Sequence, residues 1–386
     1  MTEPTESLLP PETARATTRG PVRRAPTRAP ARRAAILFDG ISALGPSPEL
    51  AILDTVDAIE RVFADDGWRV TRVPVNPDAA WVERVRKGRF DLVFNLCEGV
   101  DGASAMEPAV IGALELMGIP FTGSSSWTAA LCLRKPLANE LALQAGIPVP
   151  RFATVRAGDP LPRVGYPAIC KPAAEDASLG IEQRSVVRTP REMRARLDAM
   201  LEQWDEIVVQ RFVDGREVNV GIVGDEVLPI AEIDFGRMPR DLWRIVSFRS
   251  KWEEGSDEDL GAAPRCPARL SRALELELAE LARRAWRLVG GAGYGRCDFR
   301  IDDDGRPWLL EINANPDLAP DAGLARMATV AGLDYAGLVR RVCRAALAAR
   351  PAPRETDDAH WSRAQELSGV VPAEPALADL VEGRRA

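Results

Sequence analysis

Apolar positions along the chain follow two rhythms. Short unbroken runs, Ala34 to Phe38, Phe90 to Asn95 and Ile207 to Phe212, predict strands buried on both faces. Longer stretches, Pro48 to Asp66, Ala105 to Met117 and Thr189 to Gln203, predict helices. A further strand is predicted at Trp68 to Val73, and another within Val164 to Lys171. The clearest helical stripe is Leu274, Leu278, Leu281, Ala285 and Leu288, spaced 4-3-4-3 between an N-cap at Ser271 and a C-cap at Gly290. Strand and helix alternate up to about Pro150, which predicts a parallel sheet covered on both faces. After that point the strands pair as hairpins: Glu217 to Val223 with Glu226 to Ile233 around Gly224-Asp225, and Arg296 to Ile301 with Trp308 to Asn313 around Asp302-Asp-Asp-Gly305. A closing helix is predicted at Tyr335 to Leu347.

The second hairpin carries the chemistry. With Asp304-Gly305 as a two-residue turn, Asp298 lies opposite Glu311 and Arg296 opposite Asn313. Period-2 alternation then puts these four on one face, and Cys297, Phe299, Ile301, Trp308, Leu310 and Ile312 on the other. Two directly opposed carboxylates repel. A divalent cation between them removes that penalty, and the amide oxygen of Asn313 adds a neutral ligand. All-oxygen ligation with few protein groups suits Mg²⁺, or Mn²⁺, shared with substrate phosphates. The plain alternative is a solvated polar strand face. Gly291-Ala-Gly-Tyr-Gly295 follows a helix and precedes a strand, the wrong order for a dinucleotide loop. It reads as a helix stop before the hairpin.

Composition narrows the chemistry. The chain has 386 residues, a net charge of −7 and six cysteines without a CxxC pair. Such a length implies two or three domains. The acidic balance disfavours nucleic-acid binding, and the scattered cysteines fit reduced thiols in a cytoplasm. No run is apolar enough to span a bilayer, and the first thirty residues lack a secretory apolar core. The single histidine, His360, excludes a His-centred triad or a multi-His metal site. Lys171 closes an apolar strand before a loop of small residues up to Gly180, a place where an ammonium and loop amides can meet phosphate. Gln210 to Val213 ends a strand and can offer backbone groups to a base edge, with Glu217 beyond it for hydroxyls. An ordinary surface lysine and an ordinary hairpin are the plainer readings of these two features.

Together these pieces resemble the ATP-grasp superfamily, specifically its D-alanine–D-alanine ligase-like branch, over about Ala34 to Leu347. Phe94-Asn-Leu-Cys-Glu-Gly99 and Leu114 to Ser124 are similar to the end of its first domain, and Gly146-Ile-Pro-Val-Pro150 to the start of its central one. The resemblance implies phosphate-binding lysines at Lys135 and Lys171, and a phosphate-covering loop containing Ser178. It implies an adenine hinge at Gln210, Arg211, Phe212 and Val213 with Leu310 nearby, and a ribose ligand at Glu217. It further implies Lys251 near the γ-phosphate, Mg²⁺ on Asp298, Glu311 and Asn313, and Arg296 on a tetrahedral oxyanion. The fold implied is α/β, in part α+β. It comprises an N-terminal parallel domain (34–150), a small central β-rich subdomain (151–235) and a C-terminal antiparallel ATP and metal subdomain (236–350), flanked by a disordered basic arm (1–33) and a flexible tail (351–386).

The activity implied is ATP-dependent joining of a carboxylate to an amine, in amino-acid or peptide substrates, through an acylphosphate. Loops 173–180 and 236–260 would close over the site. A cytoplasmic homodimer is the implied setting. Several positions depart from the branch. The hinge has Gln210-Arg211 where Glu-Lys is usual. Asp39 to Gly45 lacks the expected glutamate, and Cys97 or Glu98 stands in place of a histidine. Ala322 stands where a serine takes the second substrate's carboxylate. These departures point to a different or broader substrate choice. A phosphotransferase and a non-catalytic ATP-binding protein on the same fold are the competing readings.

Overall fold

A computed structural model describes residues 31–40, 51–175 and 177–348. The expectations for the basic arm up to residue 30, for the start of the first helix at Pro48, for most of Asp39 to Gly45 and for the tail lie outside these residues.

The first unit contains β1 (Arg33–Asp39), α1 (Ala51–Asp65), β2 (Arg69–Val75), α2 (Ala80–Gly88), β3 (Leu92–Asn95), α3 (Glu107–Met117), α4 (Ser126–Leu133) and α5 (Lys135–Gln144). Its strands form a parallel sheet in the order β2-β1-β3. Ala34, Ile36 and Phe38 face one layer and Ala35 and Leu37 the other, so β1 is apolar on both sides. Helices α2, α4 and α5 were not apparent from the apolar pattern.

The next strands are β4 (Phe152–Val155), β5 (Ala168–Pro172) and β6 (Val186–Val187), followed by α6 (Pro190–Leu201) and β7 (Ile207–Arg211). They make an antiparallel sheet ordered β4-β7-β5-β6. Thr189 caps α6 by accepting from the Glu192 amide. One face of this sheet, with Ala168, Cys170, Ile207 and Val209, packs under Met193, Leu197 and Met200 of α6.

The third sheet holds β8 (Arg216–Val223), β9 (Glu226–Val227), β10 (Ala231–Asp234), β11 (Ala263–Arg265), β12 (Tyr294–Ile301) and β13 (Pro307–Asn313). Between β10 and β11 run two short helices, α7 (Phe248–Trp252) and α8 (Asp257–Gly261), and α9 (Arg272–Leu288) precedes β12. The order is β11-β10-β8-β12-β13, with β9 also on β8. Residues 216–234, expected in the central subdomain, thus run in the same sheet as β12 and β13. Ser271 caps α9 as expected. Leu278, Leu281, Ala282, Ala285 and Trp286 are its buried face, whereas Leu288 from the expected stripe is exposed.

Two last helices, α10 (Gly323–Val330) and α11 (Tyr335–Ala348), return to the start of the chain. Leu338, Val339, Val342 and Ala346 of α11 join Ile36, Phe38, Val56 and Ile59 in one core.

The hairpin reaches the expected register by an unexpected route. Asp302 and Arg306 close the turn, the Asp302 amide donating to the Arg306 carbonyl at 3.1 Å, so the loop has three residues with Gly305 at φ +80°. The Asp302 carboxylate steadies it by accepting from the amides of Asp304 and Arg306 and from the Trp308 indole. This turn pairs Phe299 with Leu309, one residue out of the expected register. A bulge at Leu310 then restores it, so that Asp298 opposes Glu311 and Arg296 opposes Asn313. The bulge also exchanges faces. Pro307 and Leu309 are buried in the core, while Trp308 and Leu310, expected there, are only half-buried.

The approach to β12 is fixed by contact. Trp286 of α9 lies so close to Gly291 and Gly295 that a Cβ on Gly295 would sit 2.3 Å from the indole. The ring is buried and cannot swing clear. Gly295→Ala is therefore expected to destabilise the protein by about 1–3 kcal/mol, read as a lower midpoint in chemical denaturation. An unchanged midpoint would show that the indole has room to move.

Candidate active site

The polar face of the third sheet is assembled from cross-strand rows. In one row β8 places Glu217 beside Arg300 of β12. In the next, Asn219 lies beside Asp298, which lies beside Glu311 of β13. In the third, Gly221, Arg296 and Asn313 are neighbours. The opposite face is the apolar core under α9. The face of β5 and β7 turned away from α6 carries Lys171 and Gln210, so each sheet contributes its polar face to one cleft.

Each of the three carboxylates in these rows has a cation beside it. Arg296 grips Asp298 with both arms, Nε to Oδ1 at 2.7 Å and Nη2 to Oδ2 at 2.8 Å, and Asn219 Nδ2 donates to Oδ1 at 2.7 Å. Glu217 and Arg300 pair at 2.7 Å. Lys135, at the start of α5, brings Nζ to 3.7 Å from Glu311 and donates to the Glu175 carbonyl. Burial disfavours ionisation of Glu311, but Lys135, Lys171 and Arg296 outweigh it and hold the carboxyl at about 2. For Asp298 burial prevails over Arg296 and the carboxyl moves up. Glu217 likewise rises through burial, against the pull of Arg300. Burial drives the Lys171 ammonium down to about 8, only partly offset by Glu311.

On the hairpin face the two opposed carboxylates are thus offset by cations of the protein itself, beside any divalent ion. Glu311 is held towards its charged form, Asp298 is paired with Arg296, and Asn313 lies beside them with Oδ1 accepting from the Asn315 amide at 2.9 Å. Among the described residues no three His, Cys, Asp or Glu side chains cluster as a ready-made metal site. Two carboxylates and an amide oxygen nevertheless fit Mg²⁺, which commonly takes one or two protein carboxylates and fills its shell with water and phosphate.

The other expected residues do not all reach the cleft, and by alternation Arg211 is on the α6 side of β7, opposite Gln210. Phe212 is buried in a small apolar cluster with Val186 and Ile245. Arg211 is exposed, and the Val213 carbonyl accepts from Arg300 at 3.4 Å. Leu310 is the bulge residue. The two expected covering loops touch. Ser178 donates to the Val246 carbonyl at 3.2 Å, and the Trp252 indole to the Ala177 carbonyl at 3.1 Å. Lys251 stands at 5.0 Å over the Trp252 ring and lines a pocket with Arg296, Asn313, Asn315, Asp317 and Glu98. Of the two candidates at the family's histidine position, Glu98 faces this pocket. Cys97 is buried, donates to the Gly99 carbonyl at 2.7 Å and has its thiol raised to about 12 by burial. At the expected serine position, Ala322 precedes α10 and provides no side-chain cap.

Two residues escaped the sequence reading. Arg300 is almost fully buried, and besides Glu217 it reaches the carbonyls of Val213, Gly215 and Arg244 and lies against the rings of Phe212 and Phe235. Asn219 orients Asp298. Both were signalled by alternation, Arg300 two positions after Asp298 and Asn219 two after Glu217.

Residues 141–344 match the family model described as D-ala D-ala ligase C-terminus. The D-alanine–D-alanine ligase of Geobacter sulfurreducens is 34% identical over 290 residues, 74% of this chain and 86% of that protein. That of Dechloromonas aromatica is 33% identical over 260 residues, 66% of this chain and 80% of that protein. The fold is shared with a Bacillus anthracis D-alanine–D-alanine ligase complexed with ATP (TM-score 0.67, 19% identity, covering 83% of this chain and 99% of that one). It is shared too with the VanG D-Ala:D-Ser ligase of Enterococcus faecalis (TM-score 0.65, 21% identity, 82% and 99%). Motif order, cleft geometry and the extent of these matches converge, and the chain belongs to the D-alanine–D-alanine ligase family of ATP-dependent enzymes that form carbon–nitrogen bonds.

Proposed function

We propose that this enzyme activates an amino-acid or peptide carboxylate as an acylphosphate and passes the acyl group to an amine, releasing ADP and phosphate. The observation that carries the reading is the row of Arg296, Asp298, Glu311 and Asn313, with Lys135 and Lys171 facing it across the cleft. The two lysines bind triphosphate oxygens, Glu217 takes ribose hydroxyls, and Gln210 to Val213 border the base. Asp298, Glu311 and Asn313 would hold Mg²⁺ or Mn²⁺, which supplies neutralisation of charge on the phosphates. The substrate carboxylate attacks the γ-phosphorus and ADP departs. The amine then adds to the acyl carbon, and Arg296 stabilises the tetrahedral oxyanion before phosphate leaves. Contacts between loops 173–180 and 243–252 support a closed cleft that keeps water from the acylphosphate.

The relatives named above act on D-alanine, or on D-Ala and D-Ser. Here Glu98 and Ala322 alter the surroundings of the reacting groups, which supports substrates other than two D-alanines. Among the described residues no helix is long and apolar enough to cross a membrane.

A panel of amino acids and dipeptides, assayed for ADP and phosphate, tests the reaction. Release is expected to require a carboxylate and an amine together. A phosphorylated single substrate accumulating instead would replace the ligase reading with a phosphotransferase. Glu311→Gln is expected to lower kcat by about 10²-fold or more and, because it strands the charges of Lys135 and Lys171, to lower the thermal midpoint as well; a variant of near-normal kcat would remove Glu311 from the metal site. Lys171 carries its proton below about 8 and loses it as pH rises through that value. The KM for ATP is therefore expected to climb above pH of about 8, and Lys171→Arg, charged throughout, to abolish that limb. A climb that persists in Lys171→Arg would assign it to another group.

A further inference from the structure

Gln210 is almost completely buried, yet its amide nitrogen Nε2 meets no hydrogen-bond partner. Buried amide donors are rarely left so, because the water they gave up is not replaced. Alternation fixes the direction of the side chain. Ile207 and Val209 of β7 enter the core under α6, as do Ala168 and Cys170 of β5. Gln210 therefore shares the cleft face with Ile169, its cross-strand partner, and with Lys171. Beyond it, Phe212, Ile169, Trp243 and Ile245 form an apolar patch, and Arg300 lies against Phe212 at 5.2 Å. A donor without an acceptor thus stands between a phosphate-binding ammonium and a surface fit for a flat ring.

We propose that Gln210 reads the edge of the nucleobase with both halves of its carboxamide, and that this enzyme consequently accepts guanine as well as adenine nucleotides. The inference rests on the proposed nucleotide site. Adenine offers an N6 donor beside the N7 acceptor, and guanine offers acceptors at both O6 and N7. The carboxamide matches adenine by accepting from N6 and donating to N7. Rotation of the amide by half a turn exchanges its donor and acceptor and directs Nε2 to O6. A carboxylate, usual at this position in the branch the sequence resembles, can only accept. It therefore suits N6 of adenine and repels O6 of guanine, N7 being an acceptor in both bases. Adenine remains the better base here, because it alone fills both halves of the amide.

The test is the ratio of kcat/KM for ATP and GTP in the wild type, Gln210→Glu and Gln210→Met, with folding of each checked by thermal melt. The same ratio is read without turnover by displacing a fluorescent adenine nucleotide with ATP or GTP. The wild type is expected to use GTP at no worse than about a hundredth of the ATP value. Gln210→Glu is expected to raise the preference for ATP by about tenfold or more, and Gln210→Met to lower it by about tenfold. A wild type that neither binds nor uses GTP, or a ratio unmoved by both substitutions, overturns the proposal. Nucleotide binding in the expected ratios without ligation of any carboxylate and amine would sink the functional reading and leave this one standing.

Discussion

Charge compensation in a largely buried cleft governs this molecule. Asp298, Glu311 and Glu217 are faced by Arg296, Arg300, Lys135 and Lys171, so the cleft is closely balanced before any ligand arrives. Removing one member of a buried set strands its partner's charge, which is far costlier than losing a surface pair. The arrangement also makes the two ligands interdependent. If the cleft binds nucleotide as proposed, phosphate oxygens drawing on Lys135 and Lys171 would loosen their hold on Glu311, the freed carboxylate would call for another cation, and nucleotide and divalent ion would suit the cleft best together.

The rest of the fold serves this balance. The apolar faces of two antiparallel sheets are sealed by α6 and α9, which leaves their polar faces to each other. Lys135 comes from a helix of the first unit, whose backbone amide is anchored on the Ala173 carbonyl at 3.0 Å. Arg300 ties the hinge carbonyls to the segment near Arg244, so the floor of the cleft and one covering loop share a single guanidinium.

Much of this was legible in the sequence, for reasons that can be traced. Alternation and a turn signal sufficed to put Asp298 opposite Glu311, although the turn is one residue longer than expected and the bulge at Leu310 compensates. The two errors cancel at the metal face and do not cancel at Trp308 and Leu310, which occupy the face not assigned to them. Helix α4 was missed because it is apolar nearly all round, and α5 because it buries Lys135 and Asn139 while exposing Leu137 and Leu143, so neither carries an apolar stripe. Pairing across strands distant in sequence, such as Arg300 with Glu217, has no local signature.

The position of α11 bears on how the chain is made. Its residues Leu338, Val339, Val342 and Ala346 complete the core that begins with Ile36 and Phe38 on β1. During synthesis the first sheet leaves the ribosome long before α11 does, so one of its faces waits without its last layer until residue 348 has emerged. The amino-terminal unit is thus among the first elements translated and among the last to be finished, and a nascent chain interrupted before α11 would present that unfilled face to chaperones.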